Sequence, residues 1–387
     1  MRKLNLSLTV VAILATTSTS AMADIDLKTS GQAVFYAQTL DSQGSHELFE
    51  SGRTSRATAG LQLNVNGDLG NDFDLGLQGV ALGTLGLDNN IVGASMQTAK
   101  TGALNGAQLS KLFISKKINN SIIKLGRQEL PKALSPFAFS EKWNVFSNTF
   151  DAALMVNQDI IDTTIIAGYL SNGNGHLDGT APALVDLGTY HKIGESGAYM
   201  ITVANKSLKE FQPTVSYYQL PNTGKKIVWG DAKVDANLPV KLSIQGGKMM
   251  TSGADTSAYG AKLTSKLEPT TLTLAYSHVG DGGNSMTNLG TNVKTPFYTQ
   301  LIFNQTRIDQ DNDTVMLAAV VPLAVGKLII RDADTKSNDV ARPDYNEFDF
   351  IYKFPALGTK MYASYMREKT AGADVNNVLR FWSRYNF

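Results

Sequence analysis

For chemistry, this sequence offers four histidines, one run of closely spaced aspartates and a scatter of arginines and lysines. His46, His176, His191 and His278 stand far apart, and no GxSxG or HExxH pattern accompanies them. Each reads as a loop or rim histidine, so hydrolysis of the kind carried out by barrel-embedded phospholipases or proteases has no candidate machinery. An enzyme is not expected, and no catalytic residue is assigned. Cysteine is absent, which excludes disulfides and the acylated cysteine of a lipoprotein. The run DQDND spaces Asp309, Asp311 and Asp313 as a loop for a hard cation would, yet Thr314 stands where an EF-hand has glycine and no glutamate closes the loop. A solvated acidic loop is the expectation; a bound calcium is the alternative, and no other cofactor is implied.

The remaining chemistry is charge set against apolar neighbours, and it points to a wall facing water. SRATAGLQLNVNGD alternates Ala57, Ala59, Leu61, Leu63 and Val65 with Arg56 and polar residues, the signature of a strand with one apolar and one polar face. DFDLGLQG repeats the pattern after a short turn, and so do TFDAALMVNQ, SAYGAKLTSKL, TTLTLAYSH, DTVMLAAVVP and EFDFIYKF. No stretch of ten or more residues carries a helical period. Taking the apolar set as outward puts Arg56, Asp72, Asp74, Lys124, Lys327, Arg331, Arg380 and Arg384 on the inner wall, together with Trp229, Asp231, Lys233, Glu347, Asp349 and Lys353.

The element that holds such a wall must satisfy every backbone donor and acceptor. In hydrocarbon an open sheet edge strands them at several kcal/mol each, so a lipid-facing sheet closes on itself. The expected fold is all-β: a transmembrane antiparallel β-barrel of 18 strands, with 16 as the alternative because the stretches 107–116 and 197–207 are weakly patterned. A soluble sandwich or propeller fits less well, since connections alternate between short and long and no blade-length repeat occurs.

At the N-terminus, two cations (Arg2, Lys3), the apolar run 4–15 and Ala21-Met22-Ala23 read as a cleaved secretory signal peptide over residues 1–23, leaving 24–387 as one barrel domain. Without Arg2 and Lys3, 33 basic residues face 34 acidic ones, a net charge of −1 that gives no basic face for nucleic acid. Export and a barrel together imply the outer membrane of a Gram-negative bacterium.

One segment breaks the strand pattern. KLGRQELPKALSPFAFSEKWNVFSNTFDAAL, residues 124–154, starts and ends as a strand, but Pro131 and Pro136 remove ladder donors between, and Phe137, Phe139, Trp143 and Phe146 would be sticky on the outside. Folded into the lumen, residues 128–149 narrow the pore and bring Arg127, Glu129, Lys132, Glu141, Lys142 and Trp143 to its constriction. KLGRQELP and the later TFDAALM, with the signal peptide, the alternating strands and the terminal aromatic, resemble the OprD-type porins, and more closely the major outer-membrane porins of campylobacter-like bacteria. That resemblance implies 18 strands, constriction by the third outer loop and a homotrimer. The dense basic ladder of amino-acid-selective members is absent from the sequence, which offers scattered cations.

The function that follows is passive diffusion of ions and small hydrophilic solutes through a water-filled channel, with a weak cation preference from Glu129, Glu141, Asp72 and Asp74. Alternatives are selectivity for amino acids or small organic acids, or a secondary calcium-binding or adhesin role. The closing RFWSRYNF reads as the last strand, with Phe381, Tyr385 and Phe387 turned to lipid as an assembly signal for the outer-membrane insertion machinery. Lipid and lipopolysaccharide are the other expected partners.

Overall fold

The computed structural model describes residues 26–387 apart from 44, 51–53, 88–91, 93–97, 100–104, 143, 175–185, 188, 236–239, 292 and 294. Residues 1–25, with the expected signal peptide, Trp143, and His176 therefore lie outside the described residues.

Antiparallel pairing runs from each strand to the next: β1 (Asp26–Ser42), β2 (Ser55–Asp68), β3 (Phe73–Gly83), β4 (Gly106–Ile118), β5 (Ser121–Gln128), β6 (Phe150–Asn157), β7 (Thr163–Gly173), β8 (Ala198–Asn205) and β9 (Phe211–Leu220). The second half comprises β10 (Lys225–Val234), β11 (Val240–Met250), β12 (Thr256–Leu267), β13 (Thr270–Val279), β14 (Asn312–Pro322), β15 (Lys327–Ser337), β16 (Tyr345–Ala356), β17 (Thr359–Thr370) and β18 (Val375–Asn386). The chain closes when β18 pairs with β1, from Gln32 opposite Asn386 to Ser42 opposite Asn376. This closed 18-stranded barrel is the larger of the two expected counts. Among the described residues no helix is long and apolar enough to cross a membrane.

The alternation holds around the barrel. Leu61, Leu112, Leu125, Met155, Ile201, Val215, Ile244, Leu263, Leu274, Leu317 and Phe350 are exposed on the outside. Such a belt of exposed aliphatic side chains suits hydrocarbon and would be a liability in water. Aromatics border it at both ends: Tyr199 and Tyr259 toward one rim, Phe73, Phe211, Tyr385 and Phe387 toward the other. The buried core lies inside instead, where Phe137, Phe150, Trp229, Met249, Phe297 and Ile308 form one cluster in the lumen.

Connections also alternate. Turns of a few residues (69–72, 119–120, 323–326 and 357–358 among them) occupy the rim that holds Asp26 and Phe387. The opposite rim carries the long loops, of which L1 (43–54), L3 (129–149) and L7 (280–311) matter below. Asp72 belongs to a turn, with φ of 62°, and so does not line the wall as expected. Asp74 is the second residue of β3, exposed at the same rim.

The seam is sealed by the last residue. Phe387 donates its N–H to Gly31 O at 3.0 Å and accepts from Gly31 N at 2.7 Å. Its ring lies over Gly31, where an added Cβ would sit 2.5 Å from the ring and 2.6 Å from Gln62 O. Glycine at 31 is therefore what lets the terminal aromatic cover the strand.

Candidate functional site

L3 does fold into the barrel, and it does not act alone. Leu289 in L7 donates its N–H to Phe137 O at 2.7 Å. Asn288 in L7 bonds the Phe139 backbone in both directions, accepting from its N–H at 3.2 Å and donating to its carbonyl at 2.9 Å. Phe137 stacks edge-on against Trp229 of β10 at 5.5 Å, and Trp229 meets Phe297 of L7 at 6.2 Å. The aromatics that looked adhesive in the sequence are thus a core plug against the β6–β13 side, and they push the open path to the opposite wall.

Two carboxylates hold this plug in place. Glu141, buried in L3, accepts from Asn288 Nδ2 at 2.8 Å and Thr291 Oγ1 at 2.9 Å. Glu347, buried on the inner face of β16, accepts from three successive L7 backbone N–H groups: Ile302 at 3.0 Å, Phe303 at 2.9 Å and Asn304 at 2.6 Å. Hydrogen bonds of this kind are worth roughly 0.5–1.5 kcal/mol each. They anchor loop backbone that would otherwise have unpaired donors. Burial, and then the Asp231 carboxylate that its hydroxyl bonds, push the Tyr298 phenol of L7 up.

Against the far wall, Phe146 and Val145 of L3 press on β2 so closely that a Cβ at Gly60 would lie 2.6 Å from the Phe146 ring. Arg384 of β18 donates to Val145 O at 3.2 Å and Asn144 O at 3.0 Å, fastening the tip of the loop. Two adjoining cavities remain between loop and wall. One, of about 310 Å³, is lined by Lys142, Arg331, Lys353, Arg380 and Arg384, with Tyr362 and Trp382. The other, of about 420 Å³, shares Lys142 and Arg384 and adds Lys111, Glu129 and the amides Gln32, Gln62, Asn64 and Gln78.

The expected site residues therefore separate. Lys142 is exposed to both cavities, and Glu129 lies in the second, paired with Lys111 at 2.8 Å. Lys132 sits in L3, donates to Gln300 Oε1 at 2.6 Å and lies 4.8 Å from the centre of the Phe139 ring. Enclosure among these side chains pulls its ammonium down to about 8, against the pull of Glu141. Water still reaches the side chain, which tempers that effect. Arg127 is a correction. It shares a face with Ile123 and Leu125 on β5, points out of the barrel, pairs with Asp151 at 2.8 Å and lies 3.5 Å from the centre of the Tyr190 ring. Glu141 is a strut instead of a pore charge.

Of the wall residues, Lys124 points inward over the Phe113 ring at 3.6 Å, and Arg56 and Lys327 lie on the inner faces of β2 and β15. Arg331 pairs with Asp349, and Arg380 bonds Gln38 at 2.8 Å. Phe381, Tyr385 and Phe387 face outward, with Phe35 and Phe381 centred 6.3 Å apart and Tyr385 and Phe387 6.0 Å apart. The aspartates of DQDND do not converge: Asp309 accepts from Ser285, Asp311 from Asn338, and Asp313 contacts Tyr276 and His278 on the outer face. Among the described residues no group of three acidic or histidine side chains is placed to hold a metal ion.

Two features escape the sequence. L7 signals itself only by its length without alternation and by the aromatic run around Pro296, and the inner-wall cations that the alternation does assign converge on one cavity from β15, β16 and β18, which their spacing along the chain does not show. With Asp72 and Asp74 at the rim, Glu141 tied up and Glu129 paired, the basis for a cation preference is gone.

No family model and no curated relative matches the chain. Solved structures do. The chain is similar to OccK8 (OprE) of Pseudomonas aeruginosa, with a TM-score of 0.73 at 13% identity over 94% of this chain and 98% of that one. OccAB1 of Acinetobacter baumannii gives 0.74 at 11% identity, covering 94% and 96%. OpdK of Pseudomonas aeruginosa, solved with vanillate, gives 0.74 at 12% identity, covering 94% and 98%. At these identities the likeness establishes the fold.

Proposed function

We propose that this chain is an outer-membrane channel of the OprD-like kind, through which small hydrophilic solutes diffuse down their gradients, and that it favours solutes bearing a carboxylate. One observation carries the reading: Lys142, Arg331, Lys353, Arg380 and Arg384 converge on a single cavity beside the inward loop, while the carboxylates nearby are committed to ion pairs or loop backbone. In a narrow aqueous path bounded by low-dielectric walls, such a cluster draws anions in and repels cations. The path needs no energy source and no covalent step. The solved relative holding vanillate, an aromatic carboxylate, fits this chemistry.

Localisation in a Gram-negative outer membrane, a cleaved leader over residues 1–23, insertion aided by the aromatic last strand, and a homotrimer complete the proposal. A calcium ion near 309–313 or an adhesive role for the outer loops remains secondary to it. The test is a reversal potential in a salt gradient across a planar bilayer. Stepwise conductance with anions more permeant than cations is the expected result. A folded protein that stays silent refutes the channel, and cation preference refutes the role given to the basic cavity.

A further inference from the structure

The outer surface is not uniformly convex. Where β2, β1, β18, β17 and β16 lie side by side, Ala57, Ala37, Phe381, Ala363 and Tyr352 form one directly paired row across all five strands. Alanines between aromatics leave a depression of about 620 Å³ whose walls are Phe35, Phe350, Tyr365 and Leu379, with Leu87 and Val92 of the loop after β3 closing the β2 end, where Ala57 is buried, so that the open part runs from Ala37 to Tyr352. At a strand spacing of about 4.8 Å, the whole row spans roughly 20 Å of the circumference. Phe49 of L1 overhangs its upper end, 72% exposed, with its backbone N–H held by Thr39 Oγ1 at 2.7 Å.

Above this groove the same outward face turns basic. On β17 the residues after Ala363 and Tyr365 are Arg367 and Lys369, both exposed, about 7 and 13 Å further toward the long-loop rim. Their cross-strand neighbours are Phe348 and Asn377 for Arg367, and Asn346 and Val375 for Lys369, with no carboxylate among them. One strand further on either side stand carboxylates that have partners of their own: on β1 Asp41 is held by Asn377 Nδ2 at 3.2 Å, while Asn377 Oδ1 accepts from the Tyr365 hydroxyl at 2.8 Å, and on β15 Asp332 accepts from Asn346 Nδ2 at 3.4 Å and Asp334 pairs with Lys336 at 3.6 Å.

We propose that this groove and its two cations form a specific site for a phosphorylated, multiply acylated glycolipid of the outer leaflet: acyl chains lie along the alanine row, and a phosphate sits on Arg367 and Lys369. The geometry supplies both halves of such a ligand in order, apolar surface at hydrocarbon depth and cations at the water boundary. A second copy of this chain would have to bury both cations against protein, whereas a lipid phosphate meets them where they stand. The inference rests on the membrane location proposed above.

The probe is bisphosphorylated lipid A, titrated against detergent-purified protein and counted by native mass spectrometry, with dephosphorylated lipid A and phosphatidylglycerol as parallel arms. Folding of each variant is checked by its heat-dependent electrophoretic mobility. Wild type is expected to hold the bisphosphorylated lipid most tightly, R367E/K369E to lose it by at least about thirtyfold, the loss expected from removing two cations at the membrane surface before the repulsion of the added carboxylates is counted, and A363W to weaken every acylated probe by filling the groove. Equal affinity in wild type and R367E/K369E, or no preference for the phosphorylated probe, overturns the proposal. So does A363W dissociating an oligomer while lipid affinity stays unchanged, since the groove then serves contact between copies. The same preparations are recorded in bilayers free of lipid A. Protein that conducts but binds no lipid A sinks this site alone, and protein that never inserts sinks the channel as well.

Discussion

Neutralising Lys142 is the sharpest test of the basic cavity, because this side chain is exposed to both halves of the path and is not one of the residues that fasten L3. An anion passing at roughly 6 Å, in a watery path of effective dielectric constant near 60, gains about 1 kcal/mol from one positive charge. That corresponds to about a fivefold change in its local concentration. A cation loses by the same factor, so K142Q is expected to lower the anion-to-cation permeability ratio by up to roughly twenty-five-fold at low salt. Arg331, Lys353, Arg380 and Arg384 remain, so the channel stays anion-preferring. The assay is the reversal potential under a salt gradient, repeated from about 0.1 M to 1 M, across which the screening length falls from about 10 Å to about 3 Å. The effect should fade along that series. An unchanged ratio in a channel of normal conductance refutes the assignment, and an effect that persists undiminished at 1 M shows that L3 itself has moved.

Three further outcomes follow from the loops and the seam. Replacing Glu347 by alanine leaves three L7 donors without their acceptor, a loss of roughly 2–5 kcal/mol, and should appear as noisier, larger single-channel currents and a lower melting temperature, with Glu347→Gln intermediate; quiet currents from E347A would show that L7 is held by its aromatics alone. Lys132 is drawn down to about 8, tempered by its contact with water, so its charge is present below that pH and lost as pH rises through it; its charged hydrogen bond to Gln300 of L7 should weaken, and single-channel noise rise, between pH 7 and 9 in wild type while staying level in K132M. At the seam, Gly31→Val should lower the fraction of folded barrel, since its side chain would meet the Phe387 ring and Gln62 O, and Phe387→Ala should reduce surface levels more than it alters the conductance of the molecules that do assemble.

The fold was legible because a lipid-facing strand writes its environment into every second residue. The runs at 59–65, 315–321 and 348–354 each turn outward the apolar set that the spacing assigns to them, while Ala57 at the head of the first is buried. Legibility failed where the lumen is not water. On β8, Ala198 and Met200 point inward against the plug, so the first half of the strand is apolar on both faces and the alternation weakens there. On β4 an extra residue at Ser110 moves the outward set from Leu109 to Leu112, which breaks a strict count of two. Arg127 was misplaced for a related reason: residues at the edge of a loop keep the parity of the strand they leave, and that parity sent it outward with Leu125.

The basic cavity shows why a ladder of charge can be invisible along a chain and obvious in a barrel. Arg331, Lys353, Arg380 and Arg384 lie on three strands whose contacts are fixed by register, with Lys327 opposite Lys353 and Arg331 opposite Asp349. Closure then brings β18 round to β1, and L3 carries Lys142 across the lumen to meet them. Neighbouring cations in such a wall repel one another, and the arrangement is stable only because acceptors are interleaved: Asp349 under Arg331, Gln38 under Arg380, and the carbonyls of Val145 and Asn144 under Arg384. Those acceptors are mostly neutral or backbone, so they steady the guanidinium groups without cancelling their charge. A wall built this way keeps its field for the solute, and the residue that fixes the width of the path, Arg384, is also one that draws the solute into it.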